Sequence, residues 1–126
     1  MVKTLYLMRH GRTRFNEQKR IQGACDSPLT DEGISQAKAA AAYFEAHQLV
    51  CDTAELASGR TDYIRLKGLK EQDFGAFEGQ QEYLNPPLQG DIGYGHYFVT
   101  YGGESYMDVR LRMDQTIRGV LDQTKA

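Results

Sequence analysis

Arg9, His10, Arg12, Arg14 and Asn16 bring three guanidinium groups, an imidazole and a carboxamide into one short stretch of chain. Such a cluster repels itself unless an anion sits within it, and arginine grips phosphate oxygens with paired donors. A histidine held among these groups can attack phosphorus through a neutral ring nitrogen and carry the phosphoryl group covalently. The chemistry these residues point to is phosphoryl transfer with His10 as nucleophile. The plainer alternative is a basic loop in which His10 only caps or packs. Arg9-His10-Gly11 is by itself a weak signal. Arg12, Arg14 and Asn16 strengthen it, because a purely structural loop has little use for so much positive charge.

The elements around the cluster fit that reading. Leu5-Tyr6-Leu7-Met8 is an apolar run that stops at charges and a glycine, so residues 2–8 are expected to form a buried strand. The basic stretch is then the loop at the carboxyl end of that strand, where open α/β sheets bind ligands. Residues 9–29 read as irregular. Thr30 is a helix cap, and Asp31 and Glu32 suit the positive end of the helix that follows. That helix is expected to reach about His47, with Ile34, Ala37, Ala41 and Phe44 on one stripe. Strand, loop and helix make the first half of a βαβ crossover. The parallel strand that should come next is reduced to Leu49-Val50, shorter than a usual strand, before residues 51–57 start another helical pattern. Residues 60–70 read as a short strand and then a loop, and residues 69–79 as an acidic, glycine-punctuated loop. Residues 80–103, with Pro86-Pro87, many glycines and many tyrosines, read as a long insertion or lid with little regular structure. Gly102-Gly103-Glu104-Ser105 opens a last helix, striped by Val109, Met113, Ile117 and Val120.

The chain of 126 residues fits a single domain, residues 1–126, with a small core. Its 40% hydrophobic and 25% charged content is ordinary for a globular protein. A formal net charge of −2 and a pI of about 5.9 speak against nucleic acid as a partner, which would require a basic domain. The positive charge gathers instead in residues 9–20, as a small anion requires. No apolar run is long enough to span a membrane, and residues 1–8 lack the features of a signal peptide; a cytoplasmic location is the expectation. Cys25 and Cys51 are too few for a disulfide scaffold. With His47 and His96 isolated from them and from each other, no metal site is expected.

Taken together, these motifs resemble the histidine phosphatase superfamily, in its phosphoglycerate mutase-like branch. The matching segments are Leu7-Met8-Arg9-His10-Gly11-Arg12-Thr13 with Asn16; Gln22-Gly23; Asp26-Ser27-Pro28-Leu29-Thr30 with Gly33 and Gln36-Ala37; Leu69-Lys70-Glu71 with Phe74-Gly75 and Glu78-Gly79; and Gly102-Gly103-Glu104-Ser105 with Arg110. The resemblance implies an α/β fold, a three-layer sandwich with a mostly parallel central sheet flanked by helices. It implies that His10 is the phosphorylated residue and that Arg9 holds the transferring group beside it. Gly11, Arg12, Thr13, Arg14, Phe15, Asn16, Gln22 and Gly23 fall in the matching phosphate-binding segments. Glu71 stands where the family places its general acid. Without that match Glu71 would read as a solvated loop carboxylate, and Glu78 competes for the acid role. No cofactor is implied. The implied partner is a small phosphorylated substrate or inorganic phosphate.

Two departures bear on activity. The family runs a strand into a Ser-Ser turn and a second phosphate-holding arginine just ahead of a segment like Cys51-Asp52-Thr53-Ala54; here Val50 abuts Cys51. Arg60 and Arg65 are near but do not match that motif. The family also carries a second histidine in a Ser-His-Gly motif after the last helix, and the sequence stops at Ala126. A chain reduced in this way is expected to be a feeble phosphatase. The leading function is hydrolysis of small phosphorylated metabolites through phospho-His10. The alternatives are mutase-type transfer and a degenerate member that binds a phosphorylated ligand without turnover. Exposed helix or sheet edges leave room for a homodimer.

Overall fold

The structure, a computed structural model, describes residues 2–46 and 66–123. The Leu49-Val50 strand, the helical pattern of residues 51–57, the Val50–Cys51 join, His47, Arg60 and Arg65 lie outside the described residues.

Helix α1 is a single turn, Arg14–Glu17. Thr13 caps it: its hydroxyl accepts the Asn16 N–H at 3.2 Å, and Asn16 Oδ1 accepts the Thr13 N–H at 3.0 Å. This reciprocal box satisfies two donors that a helix start otherwise leaves open. Helix α2 spans Asp31–Ala46, as the stripe and the cap predict. Thr30 Oγ1 accepts the Gly33 N–H at 3.1 Å. Gly33, Ala37 and Ala41 are buried along its inner face. Helix α3 spans Tyr106–Gln123. Ser105 caps it by accepting the Asp108 N–H at 3.1 Å, while Asp108 Oδ2 accepts the Ser105 N–H at 2.9 Å.

The expected strand at residues 2–8 is not formed. The segment lies without a ladder, and Leu7 is 79% exposed. A strand exists only when a neighbour satisfies its N–H and C=O groups, and among the described residues none runs beside it. The segment nevertheless touches both long helices. Lys3 Nζ donates to the Leu121 carbonyl of α3, and Tyr6 meets Phe44 of α2 edge-to-face at 6.3 Å. Pairing elsewhere is limited to two isolated antiparallel bridges, Thr13 with Leu29 and Arg20 with Gln81. Residues 60–65 of the strand-then-loop stretch lie outside the described residues, and its end, Lys67–Leu69, forms a 3-10 turn. The carbonyls of Gly68, Lys70 and Glu71 all converge on one guanidinium, that of Arg112, which no strand pleat permits.

Residues 80–103 hold three 3-10 turns, Glu82–Leu84, Gly90–Ile92 and Tyr97–Tyr101, and neither an α-helix nor a strand. Their first half is open, with Tyr83 82% exposed. Their second half makes the core. Phe98, at 0% exposure, packs with Ile21 and Phe74, and Phe77 and Tyr94 close around them. The Phe74–Phe98, Tyr94–Phe98 and Phe77–Phe98 rings meet edge-to-face at 4.8, 5.3 and 5.4 Å, a geometry that adds about 0.5–1.5 kcal/mol per pair beyond burial. The segment expected to be only an insertion therefore supplies the most buried ring in the described chain.

Candidate active site

His10 lies where the extended segment ends. Its Nδ1 is 2.8 Å from the Gly11 carbonyl oxygen. A carbonyl only accepts, so Nδ1 carries the proton and the lone pair stays on Nε2. The imidazole is thereby oriented as a nucleophile. The turn beneath it is fixed by close backbone approach. Gly11 and Gly33 are both buried, and a Cβ on either would overlap the other strip of backbone, Gly33 O in one case and Arg12 O in the other. The Arg12 carbonyl accepts from the Thr30 N–H at 2.9 Å and from Thr30 Oγ1 at 3.2 Å, while the Arg12 N–H donates to Gln36 Oε1 at 3.0 Å. The start of α2 thus holds the loop that carries His10.

The other predicted phosphate-loop residues divide by what already occupies them. Arg12 Nη1 reaches Glu32 at 2.7 Å, with side-chain exposures of 45% and 56%. An ion pair so open to water contributes at most about 1 kcal/mol, so a phosphate dianion can displace Glu32. Thr13 is 2% exposed and donates its hydroxyl to Gln22 Oε1. Its role is to cap and to hold Gln22, leaving the Gln22 amide NH2 and that of Asn16 as the polar groups with donors to offer. Phe15 packs under Arg20, whose guanidinium carbon lies 6.0 Å from the ring centroid. Among the described residues neither Arg9 nor Arg14 forms an ion pair. Arg14 lines a hollow of about 430 Å³ together with Glu17, Gln18, Leu29, Thr30, Asp31 and Glu32. Glu17, Asp31 and Glu32 make this hollow a poor setting for phosphate.

Glu78 is a scaffold, which corrects its candidacy as the acid. Its carboxylate accepts from the backbone N–H groups of Gly23 at 3.0 Å, Ala24 at 2.9 Å and Phe74 at 3.0 Å. Burial pushes this carboxyl up. The Cys25 thiol and those three amides outweigh burial and hold it below its ordinary range. Both Glu78 oxygens are taken up by backbone amides, so neither is free to meet a leaving oxygen. The same contact acts on Cys25: burial first, then the Glu78 carboxylate, push the thiol up to about 11. Gly23, whose amide is spent on Glu78, also sits so close to the Gln72 carbonyl and the Phe74 ring that any Cβ would overlap both. This contact joins the Gln22-Gly23 turn to the loop that carries Glu71.

Glu71 is exposed, and its Oε1 accepts the Gln72 N–H at 2.9 Å. Its backbone is held by a residue that sequence reading missed. Arg112 of α3 spends all its N–H donors around it. Nη1 donates to the carbonyls of Gly68 at 2.9 Å and Lys70 at 2.7 Å, and Nη2 to that of Glu71 at 2.9 Å. Nε and Nη2 form a fork on Glu104 at 2.7 and 2.8 Å. Hydrogen bonding to Arg112 holds the Glu104 carboxyl below its ordinary range, and Glu104 Oε2 also accepts the Asp73 N–H at 3.0 Å. Arg110, matched to the motif from sequence, is exposed. Residues two apart on a helix point about 200° apart, so only one of the pair can face Glu104, and the alternation alone does not say which.

Among the described residues no group of three or more His, Cys, Asp or Glu side chains is gathered as a metal site requires. Among the same residues no helix is long and apolar enough to cross a membrane.

The loop-borne histidine, the arginine-rich turn and the carboxylate loop joined to the Gln22-Gly23 turn are the features to set beside known proteins. The profile of the histidine phosphatase superfamily (branch 1) matches residues 5–126, and the chain belongs to that family. It is 34% identical over 137 residues to a probable phosphoglycerate mutase GpmB of Cronobacter sakazakii, covering 94% of this chain and 63% of that protein. It is 29% identical over 137 residues to fructose-2,6-bisphosphatase TIGAR B of Danio rerio, covering 94% of this chain and 53% of the other. These matched spans exceed the 126 residues of the chain, so both relatives carry extra residues inside them. The chain spans less than two thirds of the length of either. Among solved structures, YhfR of Bacillus stearothermophilus superposes with a TM-score of 0.72 at 28% identity, over 94% of this chain and 67% of that one. A mycobacterial glucosyl-3-phosphoglycerate phosphatase complexed with VO3 superposes with a TM-score of 0.66 at 25% identity, over 90% and 65%. The α/β class follows from these neighbours, while the described residues form two isolated bridges and no strand.

Proposed function

We propose that the chain is a phosphohydrolase of small phosphorylated metabolites that works through a phosphohistidine on His10. The observation that carries this is the His10 ring, its Nδ1–H committed to the Gly11 carbonyl and its Nε2 lone pair left for phosphorus. In the first step Nε2 attacks phosphorus and the P–O ester bond breaks. The departing oxygen takes a proton from the Glu71 carboxylic acid. In the second step water attacks the phosphohistidine, Glu71 takes the proton of that water, and the P–N bond breaks to return neutral His10. Arg9, adjacent in the chain and without an ion-pair partner among the described residues, neutralises the phosphoryl oxygens. Arg12 joins it when phosphate displaces Glu32, and the Asn16 and Gln22 amide groups supply further donors. Gly11, Thr13 and Gly23 serve by holding the backbone. Phosphoryl transfer asks mainly for such positioning and charge neutralisation.

Mutase-type return of the phosphoryl group to substrate is the second reading, and the GpmB likeness supports it. Residues 80–103, the proposed lid, contain neither lysine nor arginine. A mutase acting on a phosphorylated acid needs a cation there for the carboxylate, so this composition favours water as acceptor. The test is phosphate release from a panel of phosphorylated sugars and acids, with His10→Ala as control. Inorganic phosphate formed by the native chain and lost in the variant supports hydrolysis. Label moving within the substrate without phosphate release supports the mutase. Binding of phosphate esters with neither outcome supports a non-catalytic member.

A further inference from the structure

We infer that Arg112 is a positioning residue for Glu71, acting through the bonded unit of Arg112, Glu104 and the backbone of residues 68–71. The inference rests on the reading of Glu71 as general acid. Glu71 stands on a loop with no ladder to stiffen it, and its side chain is exposed. A general acid must sit within hydrogen-bond reach of the leaving oxygen. What fixes the loop is one guanidinium, donating to the carbonyls of Gly68, Lys70 and Glu71 at 2.7–2.9 Å. The guanidinium is aimed in turn by the Glu104 fork. Glu104 also ties the far side of the loop: its backbone N–H donates to the Asp73 carbonyl at 2.8 Å, and its own carbonyl accepts from Gln72 Nε2 at 2.8 Å. The residues on both sides of Glu71 are therefore bound to the turn that opens α3. Lysine cannot replace this arrangement, because its single ammonium has no planar fork to serve three carbonyls and a carboxylate together.

The readout is dependence on the leaving group. An alkyl phosphate needs a proton as its oxygen departs, whereas a nitrophenyl phosphate hardly does. Glu71→Gln, Arg112→Lys and Glu104→Gln are assayed on both esters in the full chain. The expected result is a loss of kcat/KM, which reports only the transfer to His10, on the order of 100-fold on the alkyl ester for Arg112→Lys and Glu104→Gln, with a loss of no more than about threefold on the aryl ester. Glu71→Gln should follow the same pattern. Equal losses on both esters, or none, in Arg112→Lys and Glu104→Gln while Glu71→Gln remains selective would overturn the positioning role alone. Glu71→Gln without selectivity, or a native chain that turns over neither ester, overturns the functional reading and this inference with it. Unfolding of both clamp variants, seen as loss of near-ultraviolet dichroism, would make Arg112 merely structural and also overturn it.

Discussion

At the scale of single residues, three carboxylates close in sequence have three different duties, set by what surrounds them. Glu78 accepts three backbone amides, Glu104 accepts a guanidinium fork, and Glu71 keeps an exposed side chain. Replacing Glu78 by glutamine puts an NH2 where an amide N–H now points, so the variant should lose about 1–3 kcal/mol of stability in urea denaturation. Cys25, hydrogen-bonded to Glu78, gives a chemical test of the same contact. With its thiol raised from 9.0 to about 11, its thiolate fraction at pH 8 is ~100-fold lower than that of an unperturbed thiol. Peptide mass mapping should find iodoacetamide labelling at Cys25 slowed to a similar degree, and Glu78→Gln should speed it only in part, because burial is the larger cause. Labelling of Cys25 at the ordinary thiol rate in the native chain would contradict the contact. His10 and the basic residues drew attention in the sequence because their types announce phosphate chemistry. The duties of Glu78 and Arg112 were not, because both depend on partners far away in sequence.

At the scale of elements, α2 shows how a local rule is overridden by what packs on it. Gly33 lies within the helix, where alanine normally adds about 1 kcal/mol. Here a Cβ would overlap the Arg12 carbonyl that also anchors the His10 loop. Gly33→Ala should therefore lower Tm and reduce turnover together, and a higher Tm would show that the contact is not made. Helices α2 and α3 were readable from the sequence, with Thr30 as cap of the first and apolar stripes of the right period, while the single turn α1 fell in a stretch read as irregular. Residues 2–8 were read as a strand from the apolarity of Leu5-Tyr6-Leu7-Met8. Apolarity reports a tendency to be buried between layers, yet Leu5, Tyr6, Leu7 and Met8 stay 38–79% exposed and touch the helices only through Tyr6 against Phe44 and Lys3 against Leu121. It cannot report whether a neighbour completes the ladder. Residues 80–103 misled in the opposite direction, since their glycines and prolines concealed Phe98, the centre of the core.

At the scale of the whole molecule, the described chain is held by contacts that tie loops to loops, and carboxylates make many of them. Glu78 joins residues 23–24 to residue 74, and Glu104 joins residue 73 to α3. Both carboxyls titrate below their ordinary value of 4.5 when folded. A depressed folded value means that the unfolded chain binds the proton more readily. The stability these groups contribute is complete above pH 4.5 and is lost as the pH falls from there through the lower folded values. Urea midpoints should hold from neutral pH down to about 5 and then decline. Glu78→Gln should flatten part of that decline. A midpoint that rises on acidification would contradict both assignments. The family placement is a whole-molecule property as well, since it rests on motifs spread over residues 5–126 that only folding brings together.

The central claim is that His10 Nε2 accepts a phosphoryl group, and the most direct measurement is to trap it. The chain is mixed with a 32P-labelled phosphate ester, quenched in alkali and mapped by peptide mass. An alkali-stable, acid-labile label is expected on the peptide containing His10, absent from His10→Ala. A label on another residue, or ester turnover without any alkali-stable label at rapid quench times, would contradict it.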